Sequence, residues 1–215
     1  MASPQLNRKR GVLKEMPTVL VICEDTKSCR TYLGDAARHF RAFVSVEHCG
    51  RTDPIGIVKE AVGRKSRFDK VFCAIDRDSH ETFDEAVALA SMHTDKITLI
   101  TSYPCYEIWL YFHFKKTRSP YVAAGAKSPG DLMVKDLQKL PEMNAYTKSG
   151  SVNLFEELLI KLPDGMTNAD WALAEAAKDN ERNPSTDLHF LLRYFETLGK
   201  LIQGVGIHQG DGCGH

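Results

Sequence analysis

The sequence lacks the features that mark membrane and secreted proteins. It contains no run of about 20 apolar residues, the length that crosses a bilayer, so we expect no transmembrane helix. The first 16 residues carry Arg8, Lys9 and Arg10 but neither an apolar core nor a small-residue cleavage site, so they do not resemble a secretory signal. These absences predict a cytoplasmic protein with a flexible basic segment at residues 1–16.

Cysteine and glycine motifs that bind metals or phosphates are also missing. The six cysteines form no CxxC pair, so we expect reduced thiols and no zinc site. Neither GxxxxGK[ST] nor GxGxxG follows a predicted strand, so the chain is not expected to bind ATP itself. The formal net charge is zero, so attraction to phosphate polymers must come from local basic clusters. Residues 8–10, 64–67 and 115–118 are candidates, although each alone is more simply a solvated surface.

Strand-like runs alternate with segments of helical periodicity in the first half of the chain. The strand-like runs are residues 18–23, 43–49, 70–75 and 96–101, and the helical segments are residues 27–40, 54–64 and 81–93. Such alternation is typical of βαβ units, so we predict an α/β core over residues 17–103 with a mainly parallel four-stranded sheet. The first and third runs, TVLVIC and VFCAI, are almost entirely apolar, which predicts neighbouring central strands.

Residues 104–202 have a helical character. The run at 105–114 is apolar nearly all round, and helical patterns follow at 129–140, 152–162, 171–180 and about 186–202. We predict a C-terminal helical half packed on the core, with 105–114 as a core helix, although an oligomer interface is left open. The segment from Asn183 to Thr186 is interpreted as the cap of the last helix. Residues 203–215 are glycine-rich and are predicted to be a flexible tail.

Acidic residues follow the two predicted central strands. Glu24 comes directly after the first, and Asp76 and Asp78 follow the third run in the sequence AIDRDSH, where His80 is a candidate proton carrier. Because parallel strands open their carboxyl ends on one edge, we expect the three carboxylates to converge. Converging carboxylates repel one another unless a hard cation lies between them, so the pattern predicts a site for Mg²⁺ or Mn²⁺. The alternative is that these acids only stabilise helix N-termini or loops.

Two more residues are candidates for a catalytic role. Lys27 can reach a substrate phosphate from the first helical turn, although exposed lysines at such positions are usually only solvated. Glu107 lies in the first turn of a very apolar helix, where an unpaired carboxylate is costly, so it needs a partner or a metal. It is either a fourth acid of the site or part of a capping box with Ser102 or Tyr103.

Four longer motifs are more specific than the DxD alone: VICEDTKS, FCAIDRDSHETFDEA, SYPCYEIWLYFHF and NPSTDLHFLL. Together they resemble the RloB family, which is related to the Toprim domain of topoisomerases, primases and OLD-type nucleases. The resemblance implies a Toprim-like Rossmannoid core and a metal-dependent nuclease of phage defence, encoded beside a separate ATPase. Glu24, Asp76 and Asp78 match the Toprim acids, whereas Asp25 departs from the small residue expected after the first acid. RNA and DNA both remain open as substrates, with tRNA a target by analogy.

Two other functions remain open on the sequence. A non-catalytic Toprim-like subunit would bind a partner ATPase and keep a metal only for structure. A phosphoacceptor receiver domain would use Glu24 or Asp25 with Asp76 and Thr101, but no lysine follows a recognisable fifth strand and half of the chain would be unexplained. Metal-dependent cleavage that requires Asp76 separates the nuclease from both. The sequence leaves the oligomeric state open.

Overall fold

A five-stranded sheet lies at the centre of the fold. The computed structural model describes residues 16–149 and 153–206, with side chains to residue 202, so the predictions for residues 1–15 and 207–215 lie outside the described residues. The strands are β1 (Val19–Cys23), β2 (Val44–His48), β3 (Lys70–Asp76), β4 (Ile97–Tyr103) and β5 (Ser185–Thr186). Their order is β2-β1-β3-β4-β5, and the first four are parallel. The predicted pairing of β1 with β3 is confirmed.

The fifth strand corrects the prediction of four. β5 pairs antiparallel with β4, where Ser102 lies opposite Thr186 and Tyr103 opposite Ser185. No sequence pattern marks this strand, because two polar residues are too few to display the alternation of a strand. The segment from Asn183 to Thr186, for which the pattern predicts a helix cap, therefore extends the sheet, although the Thr186 hydroxyl does accept a hydrogen bond from the N–H of Leu188 at 3.2 Å.

Eight α-helices are described, and the first three occupy the predicted positions between strands. The helices are α1 (Ser28–His39), α2 (Pro54–Arg64), α3 (Phe83–Ser91), α4 (Glu107–Phe112), α5 (Pro129–Gln138), α6 (Leu154–Leu158), α7 (Leu162–Asp179) and α8 (Leu188–Gly206). α2 begins where Asp53 accepts a hydrogen bond from the N–H of Gly56 and a proline takes the first helical position. In the described ranges, no helix is long and apolar enough to cross a membrane.

The helical half differs in two places from its sequence pattern. α7 begins at Leu162 and runs for 18 residues. This one helix covers most of the predicted segment 171–180 and also the residues between it and the predicted segment 152–162. α8 continues to Gly206, which places residues 203–206 in a helix rather than in the predicted tail. Helix propensity is low for glycine, and that is why the pattern predicted an earlier end.

The sheet is covered on both faces, as expected for parallel strands. Leu20 and Ile22 of β1 face one hydrophobic cluster, which is completed by α2 and α3. Val19 and Val21 face the other, larger cluster with α1 and the helices after β4. α4 lies inside this second cluster, where Trp109 is fully buried. The prediction of a core helix at 105–114 is therefore confirmed.

Candidate active site at the carboxyl edge of the sheet

The carboxyl ends of β1 and β3 form the edge on which the predicted acids lie. The strand order changes direction between these two strands, and such a switch point leaves a crevice for ligands in open α/β sheets. Glu24 follows β1, and its N–H donates to the carbonyl of Ala74 at 3.1 Å. Asp76 ends β3, and its N–H donates to Glu24 Oε2 at 2.9 Å. The structure therefore brings Glu24 and Asp76 together.

A cavity of about 180 Å³ lies beside this pair. Its lining comes from the loops that follow β1, β3 and β4, with one residue from the loop between α5 and α6. The ionisable side chains in the lining, apart from a cysteine and a tyrosine, are Glu24, Asp25, Asp76, Asp78, His80, Glu107 and Lys148. Five carboxylates around so small a space give it a strongly negative character, which favours a cationic ligand.

Burial raises the pKa of both Glu24 and Asp76. For Glu24, the N–H of Asp76 and the nearby His80 offset part of this effect, since His80 Nε2 lies 2.8 Å from Glu24 Oε1. For Asp76, the negative charges of Glu24 and Glu107 add to burial and hold the pKa well above its ordinary value. A divalent cation beside these oxygens would favour the charged carboxylates and offset their repulsion.

Glu107 contributes a third buried carboxylate at the start of α4. Its side chain is nearly inaccessible, and its Oε1 accepts a hydrogen bond from the hydroxyl of Tyr146 at 2.9 Å. This bond supplies the partner that the apolar helix required. The predicted capping box is wrong, because α4 has no side-chain cap and the hydroxyl of Ser102 bonds to that of Thr186 instead.

Asp78 lines the cavity, but its carboxylate is held by the N-terminus of α5. Oδ2 accepts from the hydroxyl of Ser128 and Oδ1 from the N–H of Gly130, each at 3.1 Å. Gly130 permits this approach, since a Cβ there would lie 2.7 Å from Asp78 Oδ2. Asp78 thus lines the same cavity as Glu24 and Asp76, as predicted, but its carboxylate is already held by the free N–H groups at the start of α5.

Asp25 stabilises a helix start, and the side chain of Lys27 lies outside the cavity. Asp25 accepts hydrogen bonds from the N–H groups of Lys27 at 2.8 Å and Cys29 at 2.9 Å, so it stabilises the start of α1. That role accounts for the acid at this position. The side chain of Lys27 is exposed and is not part of the cavity lining.

Lys148 and Tyr146 are site residues that sequence reasoning missed. They lie in a polar loop far along the chain from β1 and β3, and no motif marks them. The loop is fixed to α1, because the hydroxyl of Ser28 donates to the carbonyl of Lys148 at 2.8 Å. Burial by itself lowers the pKa of Lys148, but the charge of Glu107 and the other cavity acids outweighs it and raises the pKa.

The donor chemistry of the cavity fits a hard divalent cation. Within residues 16–149 and 153–206, no three histidine, cysteine, aspartate or glutamate side chains are grouped closely enough to enclose a metal ion. Mg²⁺ keeps several of its waters and is usually held through only one or two carboxylates. The oxygens of Glu24 and Asp76, with Glu107 close to Asp76, meet that requirement.

Thr101 does not occupy the position that a receiver domain requires. Its side chain is buried, and its hydroxyl donates to Asp187 Oδ2 at 2.5 Å, so it contacts the start of α8. Thr101 is also not part of the cavity lining. The structure thus gives no support to a phosphoacceptor centre built on Asp76 and Thr101.

Comparison with known proteins identifies a family but no individual relative. The family model described as RloB-like protein matches residues 19–194, from the start of β1 into α8. No match was found among curated proteins or among solved structures. The matched region includes every residue of the cavity described above. The chain therefore belongs to the RloB-like family.

Proposed function

We propose that this protein is a metal-dependent nuclease with a Toprim-like core, and that it hydrolyses phosphodiester bonds at the carboxyl edge of β1 and β3. The observation that carries the proposal is the pair of Glu24 and Asp76, two carboxylates with raised pKa values at the switch point of the sheet. Mutual repulsion makes such a pair costly without a cation. The substrate would be RNA, including tRNA, or DNA.

Glu24 and Asp76 would hold Mg²⁺ or Mn²⁺ in this centre, and the nearby charge of Glu107 would add to its attraction for a cation. The bound ion would supply charge stabilisation at a phosphate and an activated water. Asp78 would act as a positioning residue, since it fixes the start of α5 beside the cavity. Lys27 stays a candidate for contacts with substrate phosphate outside the cavity.

His80 and Lys148 would supply the positive and proton-carrying groups of the centre. His80 lies against Glu24 and is partly exposed, so it can exchange a proton between the cavity and solvent. Lys148 carries a raised pKa among the acids and remains charged at neutral pH, which suits it to bind a phosphate oxygen.

The biological context proposed here follows the family resemblance. The chain would act as a phage-defence effector together with a separate ATPase, because it contains no phosphate-binding glycine motif of its own. A non-catalytic subunit that only binds this ATPase is the second candidate. The absence of three clustered ligands in the described residues is the observation that favours it.

Cleavage assays test the proposal directly. Purified protein would be incubated with tRNA, single-stranded RNA and plasmid DNA, each with Mg²⁺, with Mn²⁺ or with EDTA. We expect cleavage of at least one polymer that requires the metal and falls at least about 100-fold in Asp76→Asn, because a ligand and its charge are lost. Asp95→Asn is the matched control, since Asp95 is exposed before β4, at the opposite edge of the sheet.

Thermal unfolding gives a second readout that does not depend on finding the substrate. Mg²⁺ at about 100 times its dissociation constant stabilises the folded state by about 2.7 kcal/mol. For a chain of this size that raises the Tm by roughly 5–10 °C. We expect the shift in wild type and Asp95→Asn but not in Asp76→Asn. A metal-dependent Tm together with no cleavage would favour the non-catalytic subunit, whereas a metal-independent Tm would remove the proposed metal site.

A further inference from the structure

A second cleft of the described residues lies away from the acidic cavity. It has a volume of about 660 Å³ and is formed by one side of α5 and the segment that follows α4. Its lining includes the side chains of Tyr111, Tyr121, Val122, Lys135, Asp136 and Lys139. The nuclease centre proposed above uses none of them, although the cleft is large enough for a small ligand or part of a polymer.

Two lysines carry positive charge at this cleft, because Lys135 lines it and Lys127 lies next to Lys135, outside the lining. Lys135 lies on the exposed side of α5, and Lys127 precedes the helix in a turn closed by hydrogen bonds between the backbones of Ala124 and Lys127. The amine of Lys127 lies so near that it lowers the pKa of Lys135. Neither lysine forms an ion pair with any carboxylate of the described residues. The nearby Asp131 acts on Lys135 but belongs to the capping box of α5, so the two lysine charges leave the rim positive and attractive to an anion.

The floor of the cleft is rigid and partly aromatic. Asp136 accepts hydrogen bonds from the hydroxyl of Tyr121 at 3.2 Å and from Lys139 Nζ at 2.7 Å, so the acid of the cleft is already neutralised. Tyr111 is half-buried, which leaves part of its ring accessible. Val122 also lines the cleft and is 68% exposed, so it offers an apolar surface that a ligand can reach. A partly accessible aromatic ring and an exposed apolar side chain in a cleft with lysines at its rim are the kinds of group that contact a nucleotide base and its phosphate.

α5 connects this cleft to the candidate centre. The start of the helix contacts Asp78 through Ser128 and Gly130. Lys135 lies five residues beyond Gly130, which at 1.5 Å per residue is roughly 8 Å along the same helix. A polymer bound in the cleft would therefore run close to the acidic cavity.

We propose that this cleft binds single-stranded nucleic acid beside the nuclease centre. Lys127 and Lys135 contact two backbone phosphates, and a base lies against Tyr111 and Val122. A base must be unstacked to reach an aromatic surface, which favours a single strand over a duplex. The inference rests on the proposed nuclease function, since it assigns the strand that the centre would cut.

Binding measured without cleavage separates this inference from the nuclease proposal. Fluorescence anisotropy with labelled 12-nucleotide RNA and DNA strands would be recorded in EDTA over a range of salt concentrations. We expect Lys127→Gln/Lys135→Gln to raise the dissociation constant at least about tenfold at low salt. The logarithm of the association constant falls linearly with the logarithm of the salt concentration. The magnitude of this slope should decrease by about 1.4 in the double variant, because each single-strand phosphate contact contributes about 0.7.

The matched control is Lys59→Gln/Lys178→Gln, which removes the same charge from the exposed surfaces of α2 and α7. It should leave both the dissociation constant and the salt slope within about twofold of wild type. Tyr111→Leu, which keeps apolar packing without the ring, should weaken strand binding about tenfold with an unchanged salt slope. RNA and DNA arms show which sugar the cleft accepts.

Unchanged binding in the cleft double variant, or an equal loss in the control, would overturn the inference. Tighter binding of a duplex of the same length would overturn it as well. Cleavage that survives in the double variant with unaltered binding would leave the nuclease proposal standing and remove the cleft. Strand binding that depends on Lys127 and Lys135 in a protein that cuts nothing would support the cleft and count against the nuclease.

Discussion

Glu24, Asp76 and Asp78 carry the same chemical group, yet their surroundings give them different roles. Glu24 and Asp76 lie together in a partly buried edge, where desolvation raises both pKa values. Asp78 is only two residues from Asp76 but accepts two hydrogen bonds from the start of α5. At the scale of residues, the local donors decide whether a carboxylate is available to a ligand.

His113 shows the same principle for a buried base. Its Nδ1–H donates to the carbonyl of Trp109 at 2.9 Å, and Nε2 lies 3.4 Å from the hydroxyl of Tyr32. Gly165 leaves room for the ring, since a Cβ there would lie 3.0 Å from it. Burial lowers the pKa of His113 to about 4. The imidazole of His113 is therefore neutral in the folded protein at neutral pH.

The lowered pKa of His113 predicts a pH dependence of stability. The unfolded chain takes up the proton near pH 6.5 and the folded chain only near pH 4, so stability falls as the pH drops through this window. Between pH 7 and pH 5 this group should cost about 2 kcal/mol of unfolding free energy. Urea titrations at both pH values should show a correspondingly smaller loss in His113→Gln.

His39→Gln is the control, because His39 is exposed at the end of α1. Its loss of stability between pH 7 and pH 5 should equal that of wild type. An unchanged loss in His113→Gln would mean that the ring is not held neutral by burial.

At the scale of elements, a single acid joins β4, β5 and α8. Asp187 Oδ2 accepts from the N–H and the hydroxyl of Thr101, at 3.1 and 2.5 Å, and its N–H donates to the Thr101 carbonyl at 2.9 Å. Arg182 donates to Oδ1 at 2.9 Å. These bonds hold β5 in the sheet. A strand of two residues forms too few backbone hydrogen bonds with its neighbour to be stable by itself.

Removal of this acid should destabilise the fold. Asp187→Ala leaves the buried N–H and hydroxyl of Thr101 without a partner, which should cost about 2–4 kcal/mol of unfolding free energy. Urea denaturation monitored by circular dichroism measures this cost. Glu196→Ala, on the same helix but in a partly exposed ion pair with Lys200, should change stability by no more than about 0.5 kcal/mol. Equal effects of the two substitutions would contradict the role assigned to Asp187.

At the scale of the whole molecule, close packing of α8 joins the helical half to the α/β core. Gly199 lies against the end of α1, where a Cβ would be 1.8 Å from the carbonyl oxygen of Phe40. Leu191 and Phe195 on the same helix are fully buried in the cluster that also contains β1. The two halves therefore share one core, and a change at this contact should affect the entire domain.

Gly199→Ala tests that contact. The added methyl group should cost about 1–3 kcal/mol of unfolding free energy, because α8 must move away from a backbone atom. Gly63→Ala is the matched control, since Gly63 lies in α2 with open space around it. That substitution should stabilise the protein by about 0.5–1 kcal/mol, as expected for removing a helical glycine. Stabilisation by both substitutions, measured by urea denaturation, would contradict the close approach.

Much of the fold could be predicted because apolar periodicity reflects burial directly. TVLVIC and VFCAI were predicted as neighbouring central strands, and β1 and β3 are those strands. β5 could not be predicted, because Ser185 and Thr186 are polar and their partners in β4 lie more than 80 residues earlier in the chain. The juxtaposition of Glu24 and Asp76 followed from strand order, whereas the turn of Asp78 toward α5 depends on a partner 50 residues away.

The sequence by itself determined the strands and helices of the core and the edge on which Glu24 and Asp76 lie, because both depend on local pattern and on the geometry of βαβ units. Only the tertiary structure decided which side chains share the cavity. It brought Glu107, Tyr146 and Lys148 to the acids and gave Asp78 a different partner. Such contacts form between loops that are far apart in the sequence, so they cannot be predicted from the local pattern of either loop.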